Sequence, residues 1–172
     1  AHVGRRTCLD AIETSADPVI LSHSSCYDVA KHTRNANDEQ IKALAAKGGV
    51  ICLCPHSVMC NEDQSTWPTV DRYIDHMVHV AELVGVDYIG IGTDRWKRPT
   101  LDYLMGRVEF ERTCPNWFGK FDGNQKHVKG FNYFDEWDNL VDHMLARGFR
   151  EEEVQKVLGG NLMRVFRQVW DK

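Results

Sequence analysis

No apolar run in this sequence exceeds the length of a strand, so nothing in it is built to cross a membrane as a helix. A charged-then-apolar leader is also missing, and the first residue is Ala rather than Met, from which we expect a processed or truncated chain. Basic residues are not in excess: 21 Lys and Arg stand against 25 Asp and Glu, for a net charge of −4. Without a basic stripe interleaved with aromatics, nucleic acid is not an expected partner, and small polar substrates stay open. Framework spacing is absent from the cysteines, Cys8, Cys26, Cys52, Cys54, Cys60 and Cys114, which read as small buried hydrophobes rather than disulfides or a thiolate metal site. That usage leads us to expect a reducing, cytoplasmic compartment. Long linkers, repeats and low-complexity segments are lacking too, so residues 1–172 read as a single domain.

What is present is a rhythm. "RRTCLDAIETS" (5–15) has a helical pattern, "PVILS" reads as a strand, and "NDEQIKALAAKGG" (37–49) reads as a helix capped by Asn37 and stopped by Gly48-Gly49. "VICLC" is the next strand, "PTVDRYIDHMVHVAELVG" (68–85) the next helix, and "VDYIGIGTD" (86–94) a third strand closing on an aspartate. Continuous apolar strands alternating with helices specify an α/β fold with a parallel sheet, either a barrel or an open doubly wound sheet. Residues 95–130 break the rhythm and read as a long loop or lid. Helices over 134–148 and 150–172 finish the chain, the second split at Gly159-Gly160-Asn161 with Asn161 capping the later piece.

The candidate site residues fall where the strands end. In parallel α/β folds the loops after the strands carry ligand and catalytic groups on a rigid support. His23 ends the first strand, and by itself is compatible with a hydrogen-bonded structural histidine. His2, in "AHV", sits one β/α unit earlier, so both histidines point into one mouth and can build a divalent-metal site without a local motif. Asp94 completes a cluster, though an Asp at a strand end is also a common cap. Arg34 is either a solvated loop charge or a bidentate partner for a substrate carboxylate. His76 and His79, spaced H-x-x-H among apolar neighbours, read as packing or surface residues. Glu151-Glu152-Glu153 read as a first helical turn that complements the helix dipole.

The stretches "AHVGRRTCLDAIETSADPVILSHSSCYDVAKHTRNANDEQIKALAAKGGV", "VDYIGIGTD" and "EEEVQKVLGGNLMRVF" resemble the C-terminal half of the membrane (renal) dipeptidase family of zinc metallopeptidases. The order S-H-S-S, R-N, G-G-N-x-x-R-V-F is specific to it, and only 95–130 stands apart. The resemblance implies the C-terminal portion of a (β/α)8 TIM-type barrel of the amidohydrolase-like kind. It implies two zinc ions per complete barrel, with His2 and His23 as ligands of the second. By the same resemblance Arg34 and Asn35 bind the substrate, Arg34 through its C-terminal carboxylate, and Asp94 serves the attacking water.

The resemblance also implies what this chain does not carry. The family's H-x-D zinc ligands, bridging glutamate and oxyanion-binding histidine belong to an N-terminal half, so the expected partner is that half, on the same protein or a separate chain, with a homodimer left open. Two positions depart from the family pattern. Met59 stands where an aromatic substrate contact is usual, and Asp94-Arg95-Trp96-Lys97 replaces D-F-D-G. The expected activity is zinc-dependent hydrolysis of dipeptides, with a related amidohydrolase acting on a lactam, lactone or other amide, or a non-catalytic metal-binding fragment, as alternatives.

Overall fold

Val50-Ile51-Cys52-Leu53 has no polar residue on either side, and a strand of that composition is stable only when both of its faces are covered. In the computed structural model, which describes residues 1–95, 112 and 125–171, this segment is the central strand of a three-stranded parallel sheet, and all four residues are buried. The order of elements is α1 (Arg5–Thr14), β1 (Ile20–Ser24), α2 (Asp38–Ala46), β2 (Val50–Leu53), α3 (Ser57–Cys60), α4 (Val70–Val84), β3 (Ile89–Ile91), α5 (Trp137–Ala146), α6 (Glu151–Gln155) and α7 (Asn161–Trp170). The sheet order β1-β2-β3 follows the chain, as successive β/α units require.

Local chemistry fixes several boundaries. Asn37 Oδ1 accepts from the Gln40 N–H and Gln40 Oε1 from the Asn37 N–H, both at 3.1 Å, a reciprocal cap that starts α2 where the sequence predicts it. Gly48 then takes φ 74°, the left-handed turn that ends the helix and returns the chain to β2. The third strand is shorter than predicted over 86–94, because Val86–Tyr88 form a 3-10 turn before it.

The two faces of the sheet are covered differently. Leu21, Ile51, Leu53 and Ile89 join Tyr73, Ile74, Met77, Phe131, Leu140 and Met144 in the main core beneath α2, α4 and α5. On the opposite face Val50 and Cys52 pack against Val165 of α7, with Ile20 and Leu162 at the margin. Arg164 of α7 donates to Gly48 O (2.8 Å) and Asp87 O (3.0 Å), tying this helix to the turns that precede β2 and β3.

Asn161 corrects the predicted cap. The preceding Gly160 is helical (φ −54°, ψ −41°), continuing a π-turn over Lys156–Gly160, so Asn161 does not start a helix from an extended residue. Its buried amide instead donates to Val86 O and Ile89 O, both at 2.8 Å, and staples α7 to β3. Of the predicted lid over 95–130, residues 96–111 and 113–124, with Trp96, Lys97 and Cys114, lie outside the described residues, while 126–129 are fastened to the loop after β2 and the start of α4. The other five cysteines are buried free thiols. Among the described residues no helix is long and apolar enough to cross a membrane.

Candidate active site

The C-terminal ends of β1, β2 and β3 lie on one edge of the sheet, and the site assembles there. The β1–β2 register shifts between Leu21 and Ser24, an irregularity at Ser22-His23 that re-aims the histidine at the strand's end. Gly92, just past β3, passes so close to the neighbouring chain that a Cβ there would stand 2.0 Å from Ser22 O. Only glycine permits that approach, which carries Asp94 in beside His23.

His2, His23, His32, Arg34, His56, Val58, Met59 and Asp94 line a single pocket of about 150 Å³. Of the residues singled out from sequence, His2, His23, Arg34 and Asp94 are brought together. His2 Nε2 and His23 Nε2 are 2.8 Å apart, and His23 Nδ1 is 3.0 Å from Ser22 Oγ, which orients the ring. Desolvation, with the Arg34 charge nearby, holds both imidazoles below the ordinary histidine pKa, so they present neutral rings at pH 7. Two backbones here are left-handed without being glycine: His2 has φ 60° and Asp94 φ 45°. That conformation costs an L-residue about 1–2 kcal/mol and persists where surrounding contacts hold it.

Arg34 is half-buried, and its Nε and Nη2 have no hydrogen-bond partner among the described residues. Guanidinium donors left without an acceptor favour an anion beside them. Ser24 Oγ donates to Arg34 O (2.8 Å) and fixes the loop that carries it.

Asn35 is placed otherwise than expected. Its side chain is buried, and Nδ2 is committed to the Ala30 and Met59 carbonyls at 2.8 Å and to Cys26 O at 3.4 Å. It therefore braces the Arg34 loop instead of facing the pocket. His76 is likewise structural: Nδ1 accepts from the Cys26 N–H at 3.0 Å, and burial pushes its pKa down to about 4. His79 donates to Asp38 Oδ1 at 2.7 Å, on the outer helices.

Sequence reasoning missed His32 and His56. His32 Nδ1 accepts from the Arg34 N–H at 3.2 Å, which leaves the neutral ring with an Nε2–H donor. Neither residue has a local motif, and the strand-end position of His56, three residues past Leu53, was the one available signal.

Can these residues hold a metal? Two neutral imidazoles with converging Nε2 atoms are a suitable but partial donor set for a divalent transition metal. Among the described residues no group of three or more His, Cys, Asp or Glu side chains forms a complete one.

The sequence matches the family model described as membrane dipeptidase (peptidase family M19) over residues 1–97 and 118–171. The chain belongs to this dipeptidase family. Among curated relatives it is 32% identical over 171 residues to dipeptidase tcpJ of Claviceps purpurea and 30% identical to dipeptidase ataJ of Aspergillus terreus. It covers 99% of itself in both alignments but only 34% and 35% of those proteins, so it spans about a third of their length. Its backbone superposes on an amidohydrolase from Pseudomonas aeruginosa with a TM-score of 0.82 and 31% identity, covering 99% of this chain and 51% of that one. A metallopeptidase from Rhodobacter sphaeroides, solved with a phosphinate mimic of L-Ala-D-Ala, shares the fold at a TM-score of 0.77 and 19% identity, over 98% of this chain and 41% of that one. The membrane dipeptidase fold is TIM-barrel-like, and this chain is an α/β portion of it, about half of the solved relatives in length.

Proposed function

We propose that this chain carries part of the active site of a zinc-dependent dipeptidase. The observation that supports it most is the convergence of His2 and His23 Nε2 in the same pocket as the Arg34 guanidinium, whose Nε and Nη2 have no partner among the described residues, and the carboxylate of Asp94. The relatives that are named dipeptidases support the same substrate class.

On this reading His2 and His23 bind one of two zinc ions. Zinc, when bound, supplies Lewis acidity that polarises the scissile carbonyl and acidifies water. Arg34 pairs with the C-terminal carboxylate of the dipeptide through its fork of donors and thereby fixes the carbonyl's position. Asp94 accepts a proton from the attacking water at its carboxylate and delivers it to the leaving amine. Asn35 serves indirectly, by holding the Arg34 loop. Residues 1–172 form one domain, the C-terminal half of the barrel, and the remaining ligands come from an N-terminal half that completes it. The five buried free thiols suit a reducing compartment.

A second reading is an amidohydrolase acting on a lactam, lactone or other amide, favoured by the 31% identity to the Pseudomonas amidohydrolase. The complete protein, assayed on dipeptides with free and amidated C-termini before and after chelation, separates the two. Hydrolysis confined to the free carboxylate, lost on chelation and restored by zinc, is expected. Turnover of cyclic amides or lactones without dipeptide turnover selects the second reading, and failure to retain zinc overturns both.

A further inference from the structure

Three consecutive residues at the end of β3 are held from one distant segment. Lys126 Nζ donates to Asp94 O at 2.7 Å, and His127 Nε2 donates to Thr93 O at 2.9 Å. Arg95 donates to Phe131 O and Tyr133 O, both at 2.6 Å, with its guanidinium 4.5 Å from the Phe131 ring centroid.

The holding segment is itself fixed. The Val128 N–H donates to Pro55 O (2.9 Å), the Ser57 N–H to Lys126 O (2.8 Å) and the Lys129 N–H to Pro68 O (2.8 Å). Trp67 Nε1 donates to His127 O at 2.8 Å, while Val128 and Phe131 are fully buried. Residues 125–131 are thereby laced to the loop after β2 and to the start of α4, and they present a rigid surface to residues 93–95.

We propose that Lys126 and His127 are positioning residues that keep the Asp94 carboxylate in its catalytic direction by clamping the backbone on which it stands. This inference rests on the catalytic reading of Asp94 given above. Asp94 has a left-handed backbone, and for a non-glycine residue that conformation relaxes to an extended or right-handed one unless its neighbours prevent it. Such relaxation would swing the side chain away from His23. The two carbonyls that would have to rotate, those of Thr93 and Asp94, are the ones that His127 and Lys126 hold. Burial pushes the pKa of His127 down to about 3, so its ring stays neutral with the proton on Nε2, where the bond to Thr93 needs it.

The test is a double-variant cycle in the complete protein, with Lys126→Met, Asp94→Asn and the pair assayed on a free-carboxylate dipeptide. Misplacement of a catalytic group by about 1 Å costs up to 10²-fold. Lys126→Met is therefore expected to lower kcat about tenfold or more with KM and zinc content unchanged, and Lys126→Arg to restore most of it. In the Asp94→Asn background the same change should cost nothing further. Multiplicative effects, or an unchanged kcat in Lys126→Met alone, overturn the proposal. An unchanged kcat in Asp94→Asn alone overturns the catalytic reading of Asp94 and this inference with it. Hydrogen exchange supplies a readout without turnover: amides 92–95 should exchange faster in Lys126→Met while those of β2 do not. If that variant does not fold, His127→Asn carries the same cycle through Thr93.

Discussion

His2 and His23, 21 residues apart in the chain, bring their Nε2 atoms to within 2.8 Å of one another. At that distance one ring's Nε2–H donates to the other's lone pair, and on the proposed reading a zinc ion takes the place of that proton. His23→Ala in the complete protein should therefore lower bound zinc by about one ion per barrel and abolish dipeptide hydrolysis. Elemental analysis of the purified variant checks it, and unchanged zinc content ends the ligand assignment.

Arg34→Lys keeps the charge and loses the planar fork. KM for dipeptides with a free C-terminus should rise about tenfold or more, while turnover of C-terminally amidated substrates changes little. Steady-state kinetics on both substrate types checks it. Equal effects would remove Arg34 from carboxylate recognition.

Asp94→Asn is nearly isosteric, and Asn tolerates a left-handed backbone as well as Asp does. We expect kcat to fall by roughly 10²–10⁴ with zinc content and thermal stability close to normal. Near-normal turnover would leave Asp94 with a structural role only.

His76 gives stability a pH dependence with a definite sign. Burial, the largest cause, pushes its folded pKa down to about 4 from an ordinary 6.5, so between those values the unfolded chain binds a proton that the native state refuses. Its contribution is complete above pH 6.5 and is lost as the pH falls towards 4, by roughly 3 kcal/mol in all. Urea denaturation at a series of pH values should show that slope, and His76→Gln should flatten it.

Asn161→Ala removes the amide's bonds to Ile89 O and to Val86 O, the latter still accepting the Ile89 N–H. A loss of about 1–3 kcal/mol is expected. Chemical denaturation measures it, whereas the predicted capping role would leave these carbonyls undisturbed.

The sequence was most legible where the physics is local. The reciprocal Asn37–Gln40 cap, the glycine stop at Gly48 and the unbroken apolar run of β2 each announce themselves within a few residues, and His23 and Asp94 could be located because strand ends can. Asn161 was misread because asparagine favours caps in general, while its actual partners lie more than 70 residues away. Asn35, beside Arg34 in the chain, turns its amide inward to backbone carbonyls, a direction that adjacency does not reveal. His32 and His56 enter the pocket through loop geometry, and the clamp from Lys126 and His127 crosses a gap of more than 30 residues. Nothing in an amphipathic pattern encodes such pairings.

The bonds between residues 93–95 and 126–133 close a ring of chain that includes the stretch 98–117, which the family model leaves unmatched. Closing a loop has an entropic cost that grows only with the logarithm of its length, about 0.6 kcal/mol for each doubling. Once the ends are fastened, the enclosed residues can lengthen, shorten or change composition with little energetic consequence for the fold. Changes of length or composition between these ends therefore leave the three-stranded sheet and the bonds at 93–95 energetically almost untouched.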